Sequence, residues 1–221
     1  MKKILFFLAA ILFNTTISSQ SITTSINGYG KIDTFRLPYN YDHPEIDGTV
    51  YSNENYQLGE INTGKVSEVL FRFNVRSNEI EIKYNKNIYL LDKKNGYSIS
   101  FNNFKYQVFK NPKGKQEFYL TSLNKKKTKL LIAERKTVNT RIFQSSGYSD
   151  NDKNSYSKIK ETYYISFDNK TSIKIPKREK QFYKMFGKKG TKIKKFISKK
   201  QLNKNKKNDL LKIINYYNTL V

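Results

Sequence analysis

Strict alternation of apolar and polar residues is the feature that most restricts how this chain can fold. In VLFRFNV, Phe71, Phe73 and Val75 share one side of an extended chain, and polar residues occupy the other. After a short polar turn, EIEIKY at 79–84 repeats the alternation. Because successive side chains of a β-strand point to opposite faces, a period of two predicts strands rather than an amphipathic helix. The two segments therefore predict a β-hairpin.

Short segments of the same kind recur along the chain. They are NIYLLD (87–92), YSISF (97–101), FKYQVF (104–109), EFYLTSL (117–123), KLLIAER (129–135), YYISF (163–167) and TSIKI (171–175). Polar turns separate them, which is typical of consecutive antiparallel strands. We predict an antiparallel meander that curls into an open, barrel-like body.

The apolar period becomes helical after Pro176. Phe182, Met185 and Phe186 fall at i, i+3 and i+4, and Gly187 follows where a helix commonly ends. Two further helices are predicted, with these caps and apolar residues: Thr191 before Ile193, Phe196 and Ile197, and Asn208 before Leu210, Ile213, Ile214 and Tyr217. The fold class is therefore α+β, with two or three short C-terminal helices packed back on the strands.

The first twenty residues have the order of a cleavable export signal. Lys2 and Lys3 precede the apolar run Ile4–Phe13, and small polar residues follow it. An apolar run of ten residues is too short to span a bilayer as a helix, which takes about twenty. We predict cleavage near Ser18–Gln20 and a periplasmic or secreted product, with no transmembrane segment in the mature chain.

Charge divides the mature chain into two unlike halves. Residues 21–110 carry eleven Lys and Arg against ten Asp and Glu, a net charge of +1. Residues 111–221 carry twenty-nine against eight, a net charge of +21. With the segment patterns, this predicts four regions: a signal peptide (1–20), an irregular leader (21–47), a β-rich domain (48–176) and a basic helical unit packed on it (177–221).

Residue content excludes most common catalytic chemistry. The chain has no cysteine, so it forms no disulfide, no thiolate nucleophile and no cysteine-ligated metal site. His43 is the one histidine, and it lies in YDHPEIDG, which is typical of a solvated turn. No G-x-S-x-G, G-x-G-x-x-G or P-loop motif is present. We therefore predict no catalytic residue, no metal and no cofactor.

One loop approaches the spacing of a calcium-binding EF-hand. Asp150, Asp152 and Asn154 occupy its first, third and fifth positions, and Glu161 the twelfth. Ser155 stands at the sixth position, where the sharp turn requires glycine, and a strand is predicted to follow the loop. The departures favour an exposed loop over a calcium site.

Lysines of the C-terminal unit are the remaining candidate for binding. The predicted second helix places Lys192, Lys195 and Lys199 opposite its apolar residues, and the linker that follows adds Lys204, Lys206 and Lys207. Lysine attracts phosphate and sulfate as a point charge, whereas specific recognition favours the two-pronged guanidinium of arginine. The pattern predicts weak, non-specific affinity for an anionic envelope polymer or lipid surface and no sequence-specific binding of nucleic acid. A solvated lysine face without a ligand is the simpler interpretation.

Two stretches carry a resemblance to a known group of proteins. GTVYSNENYQLGEINTGKVSEVLFRFNVRSNEIEIKYNKNIYLLD (48–92) and FYKMFGKKGTKIKKFISKKQLNKNKKNDLLKIINYYN (182–218) resemble an uncharacterised family of secreted Bacteroidota proteins. The likeness covers roughly residues 48–218, and the DLLKIINYYN ending is its most recognisable part. It implies export and a β-rich body followed by a helical ending, and it implies no activity and no site residues.

These observations favour an exported, non-enzymatic protein with a binding or structural role at the cell envelope. The alternative is a secreted hydrolase or carbohydrate-processing enzyme whose carboxylate pair is not marked by spacing in the sequence. A cleft that holds two close carboxylates would favour the enzyme, and a flat basic or aromatic surface would favour binding.

Overall fold

The computed structural model describes residues 35–36, 46–62, 66–84, 86–140 and 154–221. Its strands are β1 (Phe35–Arg36), β2 (Ile46–Asp47), β3 (Gln57–Asn62), β4 (Val66–Asn74), β5 (Glu79–Tyr84), β6 (Asn87–Leu91), β7 (Ser98–Phe101), β8 (Phe104–Lys110), β9 (Gln116–Ser122), β10 (Lys129–Arg135), β11 (Val138–Asn139), β12 (Asn154–Tyr156), β13 (Lys160–Ser166) and β14 (Ile173–Lys174). The helices are α1 (Glu179–Lys184), α2 (Gly190–Lys200) and α3 (Lys207–Asn218), with a 3₁₀ turn at Gly187–Lys189 between the first two.

Eleven strands form one open antiparallel sheet in the order β1-β6-β5-β4-β3-β7-β8-β9-β10-β13-β14. A second, small sheet has the order β11-β12-β2, in which β12 and β2 run parallel. The prediction of a β-rich antiparallel body followed by short C-terminal helices is confirmed. Each alternating segment named above corresponds to a strand, because its polar and apolar residues do divide between two faces of the sheet.

The strand order departs from a simple meander at β3. This strand was not predicted, and it lies between β4 and β7. The chain from β6 to β7 therefore passes three strands rather than making a hairpin. Gly59 in β3 is packed so closely on the ring of Phe71 that an added Cβ atom would stand 2.7 Å from it. The glycine is one reason why β3 lacks the alternating side chains by which the other strands are recognised.

Two short strands lie within the segment predicted to be an irregular leader. β1 pairs with β6 at the edge of the large sheet, and β2 pairs with β12 in the small one. Neither strand has more than two residues, so neither produces a readable alternation. Part of the leader is thus attached to the body through backbone hydrogen bonds.

A buried asparagine joins the β4–β5 turn to the middle of the chain. Asn78 has a φ of 58°, a left-handed conformation that asparagine adopts more readily than most residues. Its side-chain amide donates to the carbonyl oxygen of Phe118 at 2.9 Å, and its carbonyl oxygen accepts from the Phe118 N–H at 2.8 Å. The pairing between β9 and β10 has the single register pair Leu120–Ile132, so Asn78 supplies hydrogen bonds to β9 where the ladder is interrupted.

The apolar side chains of the strands form a first core cluster, which contains Phe71, Phe73, Ile80, Ile82, Tyr106 and Phe118. A second cluster joins Leu130, Ile132 and Ile165 of the sheet to buried residues of all three helices. We call this side of β10 and β13 the helix face. The side chains that alternate with it, Leu131, Ala133 and Tyr164, pack with Phe109 and Tyr119 on what we call the far face. β10 is therefore covered on both sides.

The two helices with predicted caps each begin one residue before the cap. α2 starts at Gly190, so Thr191 lies inside α2. α3 starts at Lys207, so Asn208 lies inside α3. An added Cβ atom at Gly190 would collide with the carbonyl oxygen of Tyr183, and this close approach fixes where α2 begins. Gly187 has a φ of 54°, as expected for a glycine after a helix.

The end of α3 is attached to the start of β10 by an amide pair. The Asn218 side chain donates to the Thr128 carbonyl oxygen at 2.9 Å and accepts from the Thr128 N–H at 3.3 Å. Leu210, Ile213 and Ile214 of α3 are buried against the helix face. No helix in the described part of the chain has both the length and the apolar character needed to cross a membrane.

Replacing Ile213 by alanine tests the docking of α3. Because this side chain is fully buried, we expect the substitution to lower the free energy of unfolding by about 2–5 kcal/mol. The matched control is Val221→Ala, since Val221 is 70% exposed and its loss changes stability by less than about 0.5 kcal/mol. The measurement is urea unfolding followed by circular dichroism. Equal unfolding midpoints for the two variants would contradict the docking.

Candidate functional site

The predicted lysine face of α2 is present as a stripe on the surface of the molecule. Lys192, Lys195 and Lys199 are all exposed, and they fall within an arc of about 60° on the helix surface at 3.6 residues per turn. Ile193 and Ile197, on the other side of α2, are buried. We call the three lysines the α2 lysine stripe. Its position follows from the docking of α2, because burying the isoleucines turns the lysines outward.

The charges of the α2 lysine stripe have no neutralising ion pair in the described part of the chain. Among the described residues, no carboxylate lies within ion-pair distance of Lys192, Lys195 or Lys199. Like charges three and four positions apart on a helix destabilise it by about 0.2–0.5 kcal/mol per pair. Lys199 lies in the last turn of α2, where the helix dipole favours a cation, but Lys192 lies in the first turn, where it does not. A bound anion would relieve this repulsion.

Two of the three linker lysines have partners inside the protein. Lys204 Nζ donates to the carbonyl oxygen of Lys177 at 2.7 Å, which ties the linker to the start of the helical unit. Lys207 Nζ lies 3.4 Å from the Glu161 carboxylate. Lys206 is exposed. Of the six lysines predicted to contact a polyanion, four therefore face solvent and two are used to hold the linker against the body.

The structure brings together two carboxylates that the sequence does not mark. Glu134 of β10 and Glu161 of β13 are directly opposite each other in the antiparallel ladder, on the helix face. Glu134 accepts a hydrogen bond from the Tyr106 hydroxyl at 2.7 Å, and Glu161 accepts one from the Tyr163 hydroxyl at 2.8 Å. With Lys207 on Glu161, each carboxylate has a partner within the protein. The pairing depends on strand register, which spacing alone does not reveal.

Burial determines the electrostatics of Glu134. Desolvation raises the pKa of its carboxyl group, and the neighbouring Glu161 charge raises it further. The hydrogen bond from Tyr106 and the charge of Lys207 oppose this shift. Burial and the Glu134 charge likewise raise the pKa of the Tyr106 hydroxyl. The pair thus forms a coupled group in which one carboxyl is more easily protonated than an ordinary glutamate.

A second polar cluster lies on β4 and β5. Arg72 Nε donates to Glu81 at 2.8 Å, and the Tyr51 hydroxyl donates to the same carboxylate at 2.9 Å. The Arg72 guanidinium also lies 3.7 Å from the ring centre of Tyr51 and 4.7 Å from that of Tyr56. The arrangement fixes the segment before β3 on the sheet. These contacts occupy the Glu81 carboxylate, so we assign the cluster a structural role.

A shallow groove with a volume of about 620 Å³ lies at one end of β5 and β6. It carries charges of both signs, and Lys93 pairs with Glu79 across it at 2.6 Å. The lining residues are Arg76, Ser77, Glu79, Asp92, Lys93, Lys94 and Lys115. Because the two acids are part of its wall, the groove is less suited to a polyanion than the α2 lysine stripe.

Three of the predicted features fall on residues outside the described ranges, and the export signal at 1–20 is the first of them. His43 and residues 150–153 of the EF-hand-like loop lie outside the described residues. Asn154 and Glu161 of that loop belong to β12 and β13, and Glu161 is engaged by Tyr163 and Lys207. Within the described ranges, no three His, Asp or Glu side chains are grouped so as to hold a metal ion.

Comparisons with known proteins give no family. The chain matches no protein-family model, no curated protein and no solved structure. The site must therefore be interpreted from its own geometry.

Replacing Glu134 by glutamine tests the buried carboxylate. A carboxyl whose pKa is raised by folding stabilises the protein when protonated, and that contribution is lost as pH rises through the folded-state pKa. Glutamine keeps the acceptor for Tyr106 and carries no charge. The melting temperature of Glu134→Gln minus that of the wild type should therefore increase by a few degrees from about pH 4 to about pH 7.

Glu60→Gln is the control, because Glu60 is exposed and its carboxylate stays in water. Calorimetry across the pH range gives the measurement. A Glu134→Gln difference that does not change with pH would show that Glu134 is not desolvated as described.

Proposed function

We propose that this protein is exported and acts at the cell envelope as a non-enzymatic binding or structural protein that attracts anionic polymers or lipids. The α2 lysine stripe carries the proposal: three exposed ammonium groups lie on one side of a docked helix with no carboxylate beside them among the described residues. The residues from 169 to the C-terminus hold seventeen Lys and Arg against two acids, a net charge of +15, which adds long-range attraction.

The chemistry of lysine sets the kind of binding. An ammonium group is a strongly hydrated point charge that does not read the shape of its partner as guanidinium does. Binding through the stripe should be strongly dependent on salt and indifferent to the sugar or base sequence of the polymer. Four of the six candidate lysines, Lys192, Lys195, Lys199 and Lys206, are exposed, which supports a contribution from each of them.

Export is supported by the order of basic, apolar and small residues in the first twenty positions. The resemblance of residues 48–92 and 182–218 to secreted Bacteroidota proteins supports the same location. An envelope location also supplies the ligand class, because cell surfaces and their polymers are commonly anionic.

We also propose that the second half of the large sheet is curled like an open barrel. The end of β8 bonds to the turn between β13 and β14: the Lys110 N–H donates to the Lys170 carbonyl at 2.9 Å, and the Ser172 N–H donates to the Lys110 carbonyl at 2.8 Å. β9, β10 and β13 lie between these partners in the strand order. A strongly bent sheet brings such distant strands together.

A hydrolase that acts on envelope carbohydrate is the second candidate. Its specific support is the Glu134–Glu161 pair, in which one carboxyl has a raised pKa, as an acid–base pair requires. The binding role has more support because both carboxylates are occupied by Tyr106, Tyr163 and Lys207, whereas the α2 lysine stripe is open to solvent.

Changing Lys192, Lys195 and Lys199 together to glutamine tests the binding role. We expect the mature wild-type protein to bind heparin, anionic lipid vesicles and DNA alike at about 50 mM salt and to lose most of that binding at about 200 mM. The triple variant should bind all three more weakly, about tenfold or more at low salt, because three charges are removed. Biolayer interferometry or vesicle sedimentation gives the affinities.

The matched control replaces Lys125, Lys126 and Lys127 by glutamine. These lysines are exposed in the β9–β10 turn, so the control has the same net charge as the stripe variant. Equal losses in both variants would mean that net charge alone is responsible and would overturn the assignment to the α2 lysine stripe. Tight binding of one ligand at high salt would point to a different, specific site.

Intact-mass measurement tests export. After expression of the full chain in a bacterial host with a similar envelope, we expect a periplasmic or secreted product that begins near residues 19–21. The physical reason is that the short apolar run fits a cleavable signal rather than a membrane span. A full-length cytoplasmic product would contradict the proposal.

A further inference from the structure

A second pair of lysines lies on the far face of the sheet, away from the helices. Lys105 of β8 is directly opposite Thr121 of β9. Lys129, the first residue of β10, alternates with Leu130 and so points to the side opposite the helix face. Both lysines thus belong to the surface that contains Tyr119 and Leu131. Thr121 lies on β9, the strand between β8 and β10.

Lys129 is buried and its ammonium group has one hydrogen-bond acceptor. The residue is 5% exposed, and Nζ lies 3.3 Å from the side-chain oxygen of Gln107, which is itself buried. Lys105 is half-buried and lies two residues before Gln107 on the same face of β8, so its side chain is a neighbour of the Lys129 side chain, whose charge it affects. Two basic side chains are therefore neighbours at the edge of the protein interior.

Within the part of the chain that the structure describes, no ion pair compensates these charges. None of the ion pairs within the described residues includes Lys105 or Lys129. On the same side of the sheet, Glu117 pairs with Arg135 at 3.0 Å and Asp168 accepts from the backbone of its own turn. Glu60 is also on this side, opposite Ser100 and two strands from Lys105, and it is exposed to solvent. A buried cation without a counter-ion is unfavourable. A second cation beside it increases that cost.

In the protein without a bound anion, the cost of burying these charges appears as lowered pKa values of both lysines. Burial, with the charge of Lys105, lowers the pKa of Lys129 to about 8, and burial lowers that of Lys105. The fold thus holds two lysines side by side at a place where each binds its proton less tightly than in water. An anion that entered between them would remove the repulsion and restore the pKa values.

We propose that Lys105 and Lys129 form a binding site for a doubly charged tetrahedral oxyanion, a phosphate or sulfate group, with Gln107 orienting Lys129. Two ammonium groups match the charge of a dianion, whereas a single carboxylate neutralises only one of them. Lys105 gives access from solvent because it is half-buried, and Lys129 supplies the desolvated contact. This site is separate from the α2 lysine stripe, which belongs to the helical unit on the other side of the sheet, and it does not depend on the function proposed above.

The proposal is tested by titrating the mature chain with sodium phosphate and sodium sulfate, each compared with sodium chloride at equal ionic strength. We expect calorimetric binding of one dianion per chain and a rise in melting temperature that chloride does not reproduce. Amide resonances of β8 and of the start of β10 should shift in the NMR spectrum. Lys129→Met and Lys105→Met should each weaken binding by about tenfold or more, as expected when one charge-assisted contact is lost.

Lys113→Met is the matched control, because Lys113 is exposed in the β8–β9 turn and loses the same charge. It should bind the dianion as the wild type does. If Lys129→Met fails to fold, Lys105→Met still tests the proposal, since Lys105 is not fully buried. Unchanged dianion binding in folded Lys105→Met, or an effect that chloride reproduces, would overturn the proposal.

A further titration with glycerol 1-phosphate identifies the source of the group. Binding of this ester as tightly as inorganic phosphate would show that the site takes a phosphate carried on a larger molecule. Binding of the inorganic ions alone would support a site for the free ion. If neither the ions nor the ester bind, the two lysines are not an anion site.

Discussion

The buried side chain of Asn78 is the contact on which the arrangement of the two halves of the sheet depends. Its amide makes two hydrogen bonds to the backbone of Phe118, forty positions away in the sequence. Through them the β4–β5 turn is attached to β9 where the ladder to β10 is interrupted. Without these bonds the N–H and carbonyl of Phe118 would be buried and unsatisfied, which costs about 1–3 kcal/mol per group.

Both faces of β10 are covered, and this covering separates two groups of charged side chains. On the helix face, the helical unit buries Leu130 and Ile132 and turns the α2 lysine stripe outward. On the far face, Leu131 and Ala133 pack under aromatic rings, and Lys129 at the end of the strand is buried with them. The same packing thus yields one solvated and one desolvated group of lysines.

The candidate sites differ in how far sequence could predict them. The α2 lysine stripe was predicted residue by residue, because a helical period fixes which side chains are opposite the apolar ones. The contacts of Lys204 and Lys207 with the rest of the protein were not predicted from the sequence, because their partners are the Lys177 carbonyl and Glu161. The pairs Glu134–Glu161 and Lys105–Lys129 were also missed. Their members are far apart in the chain and come together only through strand register and side-chain packing.

Sequence by itself determined the local structure. The period-two segments fixed nine strands, the helical periods fixed α1, α2 and α3, and Gly187 marked a helix end. Only the tertiary structure decided that β3 enters between β4 and β7, that part of the leader joins the sheets, and which charged side chains are buried together. The physical reason is that alternation depends on the nearest neighbours of a residue, whereas strand order and burial depend on contacts between residues that are distant in the chain.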